Sequence, residues 1–365
     1  MTPTTRRHLL IGAGALVAVA GSGYAWQRSK GSVADYAAEA AAQRAPLKAE
    51  PALIEIVRHA ALAANGHNTQ PWRFRVGDER IDIAADLSRR TPVVDPDDHH
   101  LYVSLGCAAE NLVLAAGASG RSCTPAEPGD GAALAFAFAP STILADPLFA
   151  AIPARQSTRA PYDGRAVPVA DLDLLQKAGS RPGVTLVLVT DRGEIGRLRD
   201  LIVAGNDRQM RDPAFLAELK HWLRFSAREA MSAGDGLFAG ASGNPVLPEA
   251  VGRVAFDLFV TAGSENERYA RQIDSSAGLA AFFGDRADLA HWIEVGRACQ
   301  RFALEATSLG LKHAFVNQPV EVAALRGELA ALLGMPGRRP DLLLRFGYGS
   351  AMPYSLRRPV SAVLA

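Results

Sequence analysis

Apolar residues recur at helical spacing in some stretches of the chain and alternate as in strands in others. Before residue 63 they fall at positions such as 53, 56, 57 and 60, and after Trp72 they alternate as in a hairpin of two strands. Farther along, the pattern predicts a long helix over about 101–119, a buried strand over 132–138, a helix over 170–178 and a strand over 184–190. This mixture of separate helices and strands predicts an α+β fold.

The chain repeats itself around two long apolar helices. The segment Gly296–Gly310 can be laid over Gly106–Gly120 with five identities in one register, and each segment ends in glycine and leads to a predicted strand, at 132–138 and at 342–348. We therefore expect two copies of one α+β unit, over residues 51–150 and 151–365. Two copies are too few for a solenoid, so the expected architecture is a side-by-side pseudo-twofold dimer within one chain.

The second unit contains an insertion at about 200–274. Apolar residues between 216 and 225 predict an amphipathic helix, the stretch 234–243 is rich in glycine, and 254–260 is apolar again. A partly helical excursion with a glycine-rich hinge suits a lid over a site. The alternative is a packing layer with no part in a site.

The first 31 residues have the pattern of an export signal. Arg6 and Arg7 precede an uncharged apolar run from Leu9 to Ala20, which is typical of a twin-arginine signal. The uncharged span to Gln27 leaves cleavage and retention as a membrane anchor both open. We expect export to the periplasm by the twin-arginine machinery, with 32–50 as a helical linker. That route carries folded proteins, which favours a bound cofactor.

Composition and charge exclude several classes of protein. The 365 residues are 48% hydrophobic and 21% charged, which suits a globular protein with a sizeable core, and the formal net charge of +1 gives no electrostatic footprint for nucleic acid. The three cysteines lack the spacing of a disulfide framework or a metal site. Adjacent helical histidines point apart, so we interpret Asp97–His100 as a solvated helix end and predict no metal. Hydrolysis has little support, because no Ser/His/Asp set, nucleophile elbow or catalytic carboxylate pair stands out.

Three polar segments are candidates for ligand binding. The turn 63–72 joins a helix to a strand and carries amide and imidazole groups. The segment Arg155–Arg159 presents two guanidinium groups and a hydroxyl at alternating positions, which can grip a phosphate. These first two segments each have a simpler alternative interpretation. The turn 63–72 could be only a capped helix end, and Arg155–Arg159 could be only a surface segment. An amide-rich loop at 317–321 and the basic pair Arg357 and Arg358 add further candidates.

Four stretches, in this order, resemble the flavin-dependent nitroreductase family, and specifically its fused two-unit Acg-like branch. They are His67–Trp72, Arg155–Arg159 followed by Tyr-Asp-Gly at 162–164, Asn317–Glu321 and Leu343–Gly349. The resemblance covers nearly everything after about Pro51. It implies a nitroreductase-like fold that holds FMN at the interface of two units.

The resemblance also implies residue roles. Arg155 and Ser157 match phosphate and ribityl binders, Arg159 matches a cation near the flavin pyrimidine, and residues 317–320 would lie along the isoalloxazine. No side chain is a certain catalytic group, since flavin N5 carries the chemistry. The predicted cofactor-binding residues are Asn65, Gly66, His67, Asn68, Gln70, Arg155, Ser157, Arg159, Asn317, Gln318, Pro319, Val320, Arg357 and Arg358.

One complete site is expected, because each unit retains only half of the paired motifs. The first unit has Gln43–Pro46 where the Arg-x-Ser-x-Arg segment would stand, and the second has Ser180–Gly183 in place of the amide turn. We predict one FMN per chain and a functional monomer. The implied function is an exported FMN oxidoreductase that passes two electrons from a small-molecule donor, NAD(P)H in ordinary members, to a nitro, quinone or similar acceptor. The alternative is a flavin-sequestering or redox-sensing protein with a covered FMN.

Overall fold

The computed structural model describes residue 26 and residues 28–48, 51–142 and 145–365. The predicted export signal and its cleavage lie outside the described residues. Helix α1 (Val33–Gln43) begins after Ser32, whose hydroxyl accepts a hydrogen bond from the backbone N–H of Asp35. Tyr36 on this helix is buried, its ring lies 4.3 Å from that of Phe238, and its hydroxyl donates to the carbonyl of Tyr354. The segment predicted as a linker therefore packs on the protein.

The first unit is an antiparallel four-stranded sheet with a long helix against it. The strand order is β1-β2-β4-β3. Phe74, Ile81 and Ile83 are fully buried at alternate positions of the first two strands, which is the pattern that predicted the hairpin. In chain order the elements are α2 (Leu53–Ala60), β1 (Trp72–Val76), β2 (Arg80–Ala85), α3 (His99–Ala118), β3 (Arg121–Ala126) and β4 (Ala132–Pro140).

The second unit opens with one helix and one strand and then enters the insertion. The elements are α4 (Val169–Ala178) and β5 (Val184–Val189), followed by α5 (Arg192–Met210), α6 (Pro213–Trp222), β6 (Leu223–Arg224), α7 (Ala227–Ala233), β7 (Leu237–Phe238), α8 (Glu249–Phe259) and α9 (Ala262–Asp274). The chain then returns to the sheet and finishes with β8 (Gly278–Gly284), α10 (Leu289–Ser308), β9 (Lys312–Phe315), α11 (Gln318–Glu321), α12 (Arg326–Leu332), β10 (Leu342–Gly347) and α13 (Val360–Val363).

The two sheets have the same topology. The second sheet has the order β5-β8-β10-β9, so in both units the first strand pairs with the second, the last pairs with the second, and the third lies at an edge beside the last. In both units the long helix connects the second strand to the third. The predicted α+β fold of two tandem units forming an intramolecular pseudo-dimer is confirmed.

The long helices α3 and α10 cross at a pair of glycines. A Cβ atom added at Gly106 would lie 2.0 Å from the carbonyl oxygen of Ile293, and one added at Gly296 would lie 2.0 Å from that of Val103. The two contacts are equivalent under the sequence repeat, since each glycine faces the residue three positions before the other. The backbones therefore touch at the pseudo-twofold axis, and only glycine fits there.

The insertion explains why the second sheet is buried on both faces. Every residue of β8 and β10 is buried, whereas β3 of the first unit is largely exposed or half-buried. Phe282 and Phe346 pack toward α10, and Phe283 and Leu343 pack on the opposite face against residues of the insertion such as Ile202. The insertion is therefore a packing layer as well as a candidate lid.

The carboxyl-terminal segment crosses from the second unit back to the first. Leu364 pairs in parallel with Phe74 of β1, whose carbonyl accepts a hydrogen bond of 2.9 Å from the N–H of Ala365. Val363 is fully buried in the first unit's core. The last residues, which the sequence assigned to the second unit, thus contribute to the first.

The edge strands β3 and β9 were not predicted. β3 contains Pro125 and polar residues at exposed positions, and β9 spans only four residues. Both lie beside the last strand of their unit and owe their conformation to that pairing. Local hydrophobic alternation is too weak in such short edge strands to identify them.

We expect Gly106→Ala and Gly296→Ala each to lower the free energy of unfolding by about 3 kcal/mol or more, at the upper end of overpacking costs, because a methyl group would force the helix backbones apart. Urea unfolding measures the change. Gly117→Ala, in the same helix α3, is the matched control, since no atom lies within 4 Å of the added Cβ. It should be neutral or stabilising by roughly 0.5–1 kcal/mol. Equal effects at positions 106 and 117 would contradict the close crossing.

Candidate functional site

A continuous cleft lies between the two units and under the insertion. It consists of three adjoining cavities of about 40, 190 and 640 Å³, and Arg159 and Leu237 line all three. We call them the cationic pocket, the polar cavity and the apolar cavity. Ala64 and Asn65 of the first unit and Arg159 of the second line both smaller ones. The cleft therefore depends on the contact between the units.

Four arginines line the cationic pocket together with Ser157, and one of them, Arg159, also faces the other two cavities. Arg44, Arg155 and Arg357 come from distant parts of the chain, and among the described residues none of the three forms an ion pair with a carboxylate. Burial and mutual repulsion lower the pKa of Arg44 to about 10 and that of Arg357 well below its usual range. Uncompensated buried charge is costly, so this pocket is built for an anion.

Arg155 has hydrogen-bonding capacity left for such an anion. One terminal nitrogen donates to the carbonyl of Leu62 at 2.9 Å, while Nε is buried and has no partner among the described atoms. Arg357 is more fully used, because it donates to the carbonyls of Ala61, Leu62 and Ala63 and to Oδ1 of Asn68. Arg357 organises the pocket floor, and Arg155 faces the space above it.

The segment Arg155–Arg159 is held in place from the core of the second unit. Arg345 in β10 is fully buried and donates to the carbonyls of Thr158 at 3.1 Å and Ala160 at 2.8 Å, with its guanidinium 4.0 Å from the centre of the Tyr162 ring. The N–H of Thr158 also donates to the carbonyl of His313 at 2.8 Å. The motif at 343–349 thus positions the arginine segment from beneath.

The turn after α2 has a strained backbone. His67, Asn68 and Gln70 have φ values of 47°, 55° and 54°, in the left-handed region that glycine prefers. The Asn65 side chain stabilises the turn, because its Oδ1 accepts from the N–H of Gln70 at 2.8 Å and its Nδ2 donates to the carbonyl of Ala63. The amide of Asn65 therefore serves the turn itself.

Asn68 and Gln70 also fix the insertion over the cleft. Asn68 Nδ2 donates to the carbonyl of Gly236 at 3.0 Å, and Gln70 Nε2 donates to that of Gly234 at 2.9 Å. Between these glycines, Asp235 forms ion pairs with Arg89 and Arg224. Leu237 follows directly and lines every cavity, so the loop 234–237 acts as an anchored cover.

Several polar groups facing the polar cavity are without partners. Within the described chain, the side chain of Arg159 makes no hydrogen bond or ion pair, and Gln318 Oε1 is buried and unpartnered. Asn317 Oδ1 accepts from the N–H of Leu343 at 2.8 Å, so its amide lies at a fixed position. Burial, with Arg159 and His100 nearby, lowers the pKa of His67 to about 4, and this imidazole is neutral at pH 7. These groups suit a ligand with carbonyls and ring nitrogens.

Ten of the fourteen predicted site residues line the cationic pocket or the polar cavity, and four do not. Pro319 and Val320 are buried behind the cleft in the core beneath α11, and Gln70 uses its amide on backbone groups. Arg358 points to Asp86 and the carbonyl of Ala362. These four side chains support the site's walls and do not face its interior, a correction to the prediction.

Residues that the sequence did not single out complete the lining. Arg44 is the main one, because residues 43–46 looked like a lost motif, yet this arginine, at the carboxyl end of α1, reaches the cationic pocket. Helix α1 brings it there by packing through Tyr36. Ser104, Glu265 and Tyr269, which lie on helices without a distinctive local pattern, also line the polar cavity, as do His100 and Glu321 from the segments 97–100 and 317–321.

The expectation of a solvated helix end at Asp97–His100 holds for Asp97, which is exposed, and is wrong for His99, which is buried. Both carboxylate oxygens of Asp95 accept from helix N–H groups at 2.9 Å, and His99 lies 2.9 Å from Asp341 with 1% of its surface exposed. Asp95, His99 and His100 bring ligand atoms within 4.8 Å of one another. Burial lowers the pKa of His99 to about 3 and raises that of Asp341 to about 6. Because both carboxylate oxygens of Asp95 already accept hydrogen bonds from the helix, Asp95 acts as a helix cap.

The sequence repeat relates this cleft to a second position across the pseudo-twofold axis, and ion pairs occupy that position. The repeat aligns Gln300 with Glu110; Gln300 accepts from the N–H of Ala64 at the amide turn. Glu110 instead binds Arg297 and Arg301, each at 2.9 Å, and lies 3.8 Å from Arg181 in the segment predicted to have lost the turn. The uncompensated charge therefore occurs on one side of the pseudo-twofold axis.

The chain matches curated proteins over most of its length. It is 28% identical over 321 residues to "Putative NAD(P)H nitroreductase Rv3131" of Mycobacterium tuberculosis strain ATCC 25618 / H37Rv, covering 84% of this chain and 88% of the relative. It is 25% identical over 331 residues to "Putative NAD(P)H nitroreductase acg" of the same strain, covering 84% and 93%. The chain is thus similar to these two nitroreductases over 84% of its length. The predicted resemblance to the Acg-like branch is confirmed.

Other comparisons gave weaker matches or none. No family model matches the chain. A nitroreductase with bound FMN from Bacteroides fragilis superposes with a TM-score of 0.35 at 17% identity, covering 56% of this chain and 90% of that one. The NADPH:FMN oxidoreductase of Vibrio harveyi superposes with a TM-score of 0.37 at 16% identity, covering 60% and 76%.

We expect His313 beneath the arginine segment to make the stability of this protein pH-dependent. Burial, with Arg155 and Lys312 nearby, lowers its pKa to about 3, and neither ring nitrogen has a described partner. A histidine in the unfolded chain has a pKa of about 6.5. Between this pKa and the lower pKa of the folded state, the unfolded state therefore binds one more proton at this residue than the folded state does. Stability therefore falls as pH falls below 6.5, with a slope from this residue approaching about 1.4 kcal/mol per pH unit.

His313→Phe should remove this component and cost little near neutral pH, because no hydrogen bond is lost. Urea unfolding from about pH 7.5 to about pH 5 compares the slopes. His221→Phe, at an exposed position, is the control. An unchanged slope in His313→Phe would show that this imidazole is not held neutral.

Proposed function

We propose that the chain is an FMN-dependent oxidoreductase with one FMN between its two units. The observation that carries this proposal is the unpaired arginine cluster at the end of a polar cavity on the unit interface. The printed names of the relatives, NAD(P)H nitroreductases, support an oxidoreductase. The solved proteins mentioned above bind or act on FMN by their titles.

The residues of the cleft fit the parts of FMN in order. A phosphate monoester suits Arg44, Arg155 and Ser157, since guanidinium groups bind such oxygens with charge-assisted hydrogen bonds. The adjoining polar cavity offers Arg159 and the amides of Asn317 and Gln318 to the carbonyls and nitrogens of the ring system. The related position across the axis is occupied by ion pairs around Glu110, which supports one FMN per chain.

Bound FMN would supply the redox chemistry by taking up two electrons and passing them on. The chain's residues act around it. Arg159 places an unpaired positive charge where negative charge develops on reduction, and its partial burial strengthens that charge's effect. Neutral His67 adds no competing charge. The cover at 234–237 lies over the polar cavity through Leu237 and narrows its opening to solvent.

We propose a small-molecule electron donor, with NAD(P)H as the class named for the relatives, and a nitro, quinone or similar acceptor. The twin-arginine pattern at residues 6–20 supports folding with the cofactor in the cytoplasm followed by export to the periplasm, with the apolar segment cleaved or kept as an anchor. Because both half-sites lie in one chain, a monomer suffices.

A second function, flavin sequestration or redox sensing, is favoured by the anchored cover. Asn68 and Gln70 both bind the loop above the cleft, so opening requires those hydrogen bonds to break. Reduction of bound FMN by NAD(P)H and its reoxidation by a quinone would show turnover. Reduction by dithionite but not by either nicotinamide would favour the second function.

We expect Arg155→Ala to weaken FMN binding by about tenfold to a hundredfold, because a charge-assisted hydrogen bond to phosphate is lost. Fluorescence titration of the full chain with FMN measures this. Riboflavin, which lacks the phosphate, is the ligand control, and its affinity should not change. Arg165→Ala is the protein control, since that arginine is exposed and pairs with Asp163 outside the cleft. An equal loss for riboflavin, or no loss for FMN, would contradict the phosphate assignment.

A further inference from the structure

The apolar cavity is far larger than the two cavities assigned to the cofactor. It has a volume of about 640 Å³ and joins the polar cavity through shared residues that include Arg159, Leu237 and Tyr269. Cavities of this size hold ligands of several hundred cubic ångströms. A ligand in it would reach the cofactor site at one end only.

The walls of this cavity differ in polarity along its length. Away from the residues shared with the polar cavity, the apolar side chains Leu223, Phe225, Leu247, Phe256, Phe259 and Val260 line the cavity, with the polar residues Ser242, Asn244, Ser264 and Gln272 among them. At the end nearest the polar cavity stand Arg159 and Tyr269, and within the described residues neither the guanidinium nor the phenol hydroxyl has a hydrogen-bond partner. Glu265 also lines both cavities and pairs with Arg268, which lines the apolar cavity only and donates to the carbonyl of Ser242.

This polarity gradient specifies an amphiphilic ligand. Two free donors at the inner end match a carbonyl oxygen, and the apolar length beyond them matches a hydrocarbon chain. A small nitro compound would leave most of the apolar wall uncovered. We infer that the insertion forms a binding site for the tail of the electron acceptor, which is a lipophilic quinone with its carbonyl head at Arg159 and Tyr269. This inference rests on the proposed function.

The proposed reduction of the quinone to a quinol balances in electrons and protons. When bound, reduced FMN would supply a hydride equivalent to the quinone and would be oxidised in return, and a proton from solvent would complete the quinol. The Arg159 guanidinium and the Tyr269 hydroxyl donate to the carbonyl oxygen on which negative charge develops. Burial raises the pKa of the Tyr269 phenol, so it stays protonated as a donor. The donor of the preceding half-reaction is a reduced nicotinamide.

Tail length is the variable that tests the inference. Two quinones with the same ring, one with a methyl and one with a ten-carbon tail, are titrated into the FMN-loaded full chain by calorimetry. We expect the affinity to rise about threefold to fourfold for each methylene buried, until the cavity is full. Affinity independent of tail length would overturn the inference. A ten-carbon alcohol that binds as tightly as the long-tailed quinone would overturn the quinone assignment.

Two neighbouring residues at the end of α8 provide a matched pair of variants. Phe259 and Leu258 are 73% and 65% exposed, but only Phe259 lines the cavity. Phe259→Asp should weaken binding of the long-tailed quinone at least about tenfold and leave the methyl quinone unchanged, since it removes contact with the tail alone. Leu258→Asp should change neither. Equal behaviour of the two variants would overturn the inference.

Failure of the proposed function can be told apart from failure of this inference. Bound FMN is counted in each variant before titration, and both variants should keep it. If the chain binds no FMN, the proposed function fails, and the same titration on the flavin-free chain still tests the tail site through its dependence on tail length. If FMN is bound and tail length has no effect, the tail site alone is overturned.

Discussion

The contact between Gly106 and Gly296 sets the geometry on which the cleft depends. Because the two long helices touch backbone to backbone, the amide turn of one unit and the arginine segment of the other approach closely enough to share a cavity. Side chains near the crossing extend this control. Gln300 donates to Asn111 at 2.8 Å and accepts from the N–H of Ala64, so the crossing also fixes the start of the strained turn.

The repeat has diverged from symmetry in its charges more than in its backbone. Both units keep the same strand order and the same helix crossing, yet Gln300 on one side corresponds to Glu110 on the other. The acidic residue binds Arg297 and Arg301, whereas the neutral one bonds to Asn111 and the N–H of Ala64. Among the described residues, the arginines of the cationic pocket have no carboxylate partner. A second copy of the site would require this ion-pair network to be dismantled, and the insertion covers only the pocket that remains.

Much of this architecture followed from the sequence, and the exceptions share one cause. Alternation identified β1 and β2, and the repeat identified the paired helices, since both depend on local periodicity. The roles of Asn68 and Gln70 were not predictable, because their partners at 234–236 are brought there by an insertion far away in the chain. Arg44 was missed for the same reason. The sequence shows that Arg44 is positively charged. It does not show that Arg44 lies in the pocket, because that depends on how α1 packs against Phe238.

The central claim is that one chain encloses one complete cofactor site between its two units. Native mass spectrometry of the purified full chain tests this most directly, because it reports the number of chains and the number of bound flavins in the same particle. The account predicts a single chain carrying one FMN. Two FMN on one chain, or FMN bound only by a dimer, would contradict it.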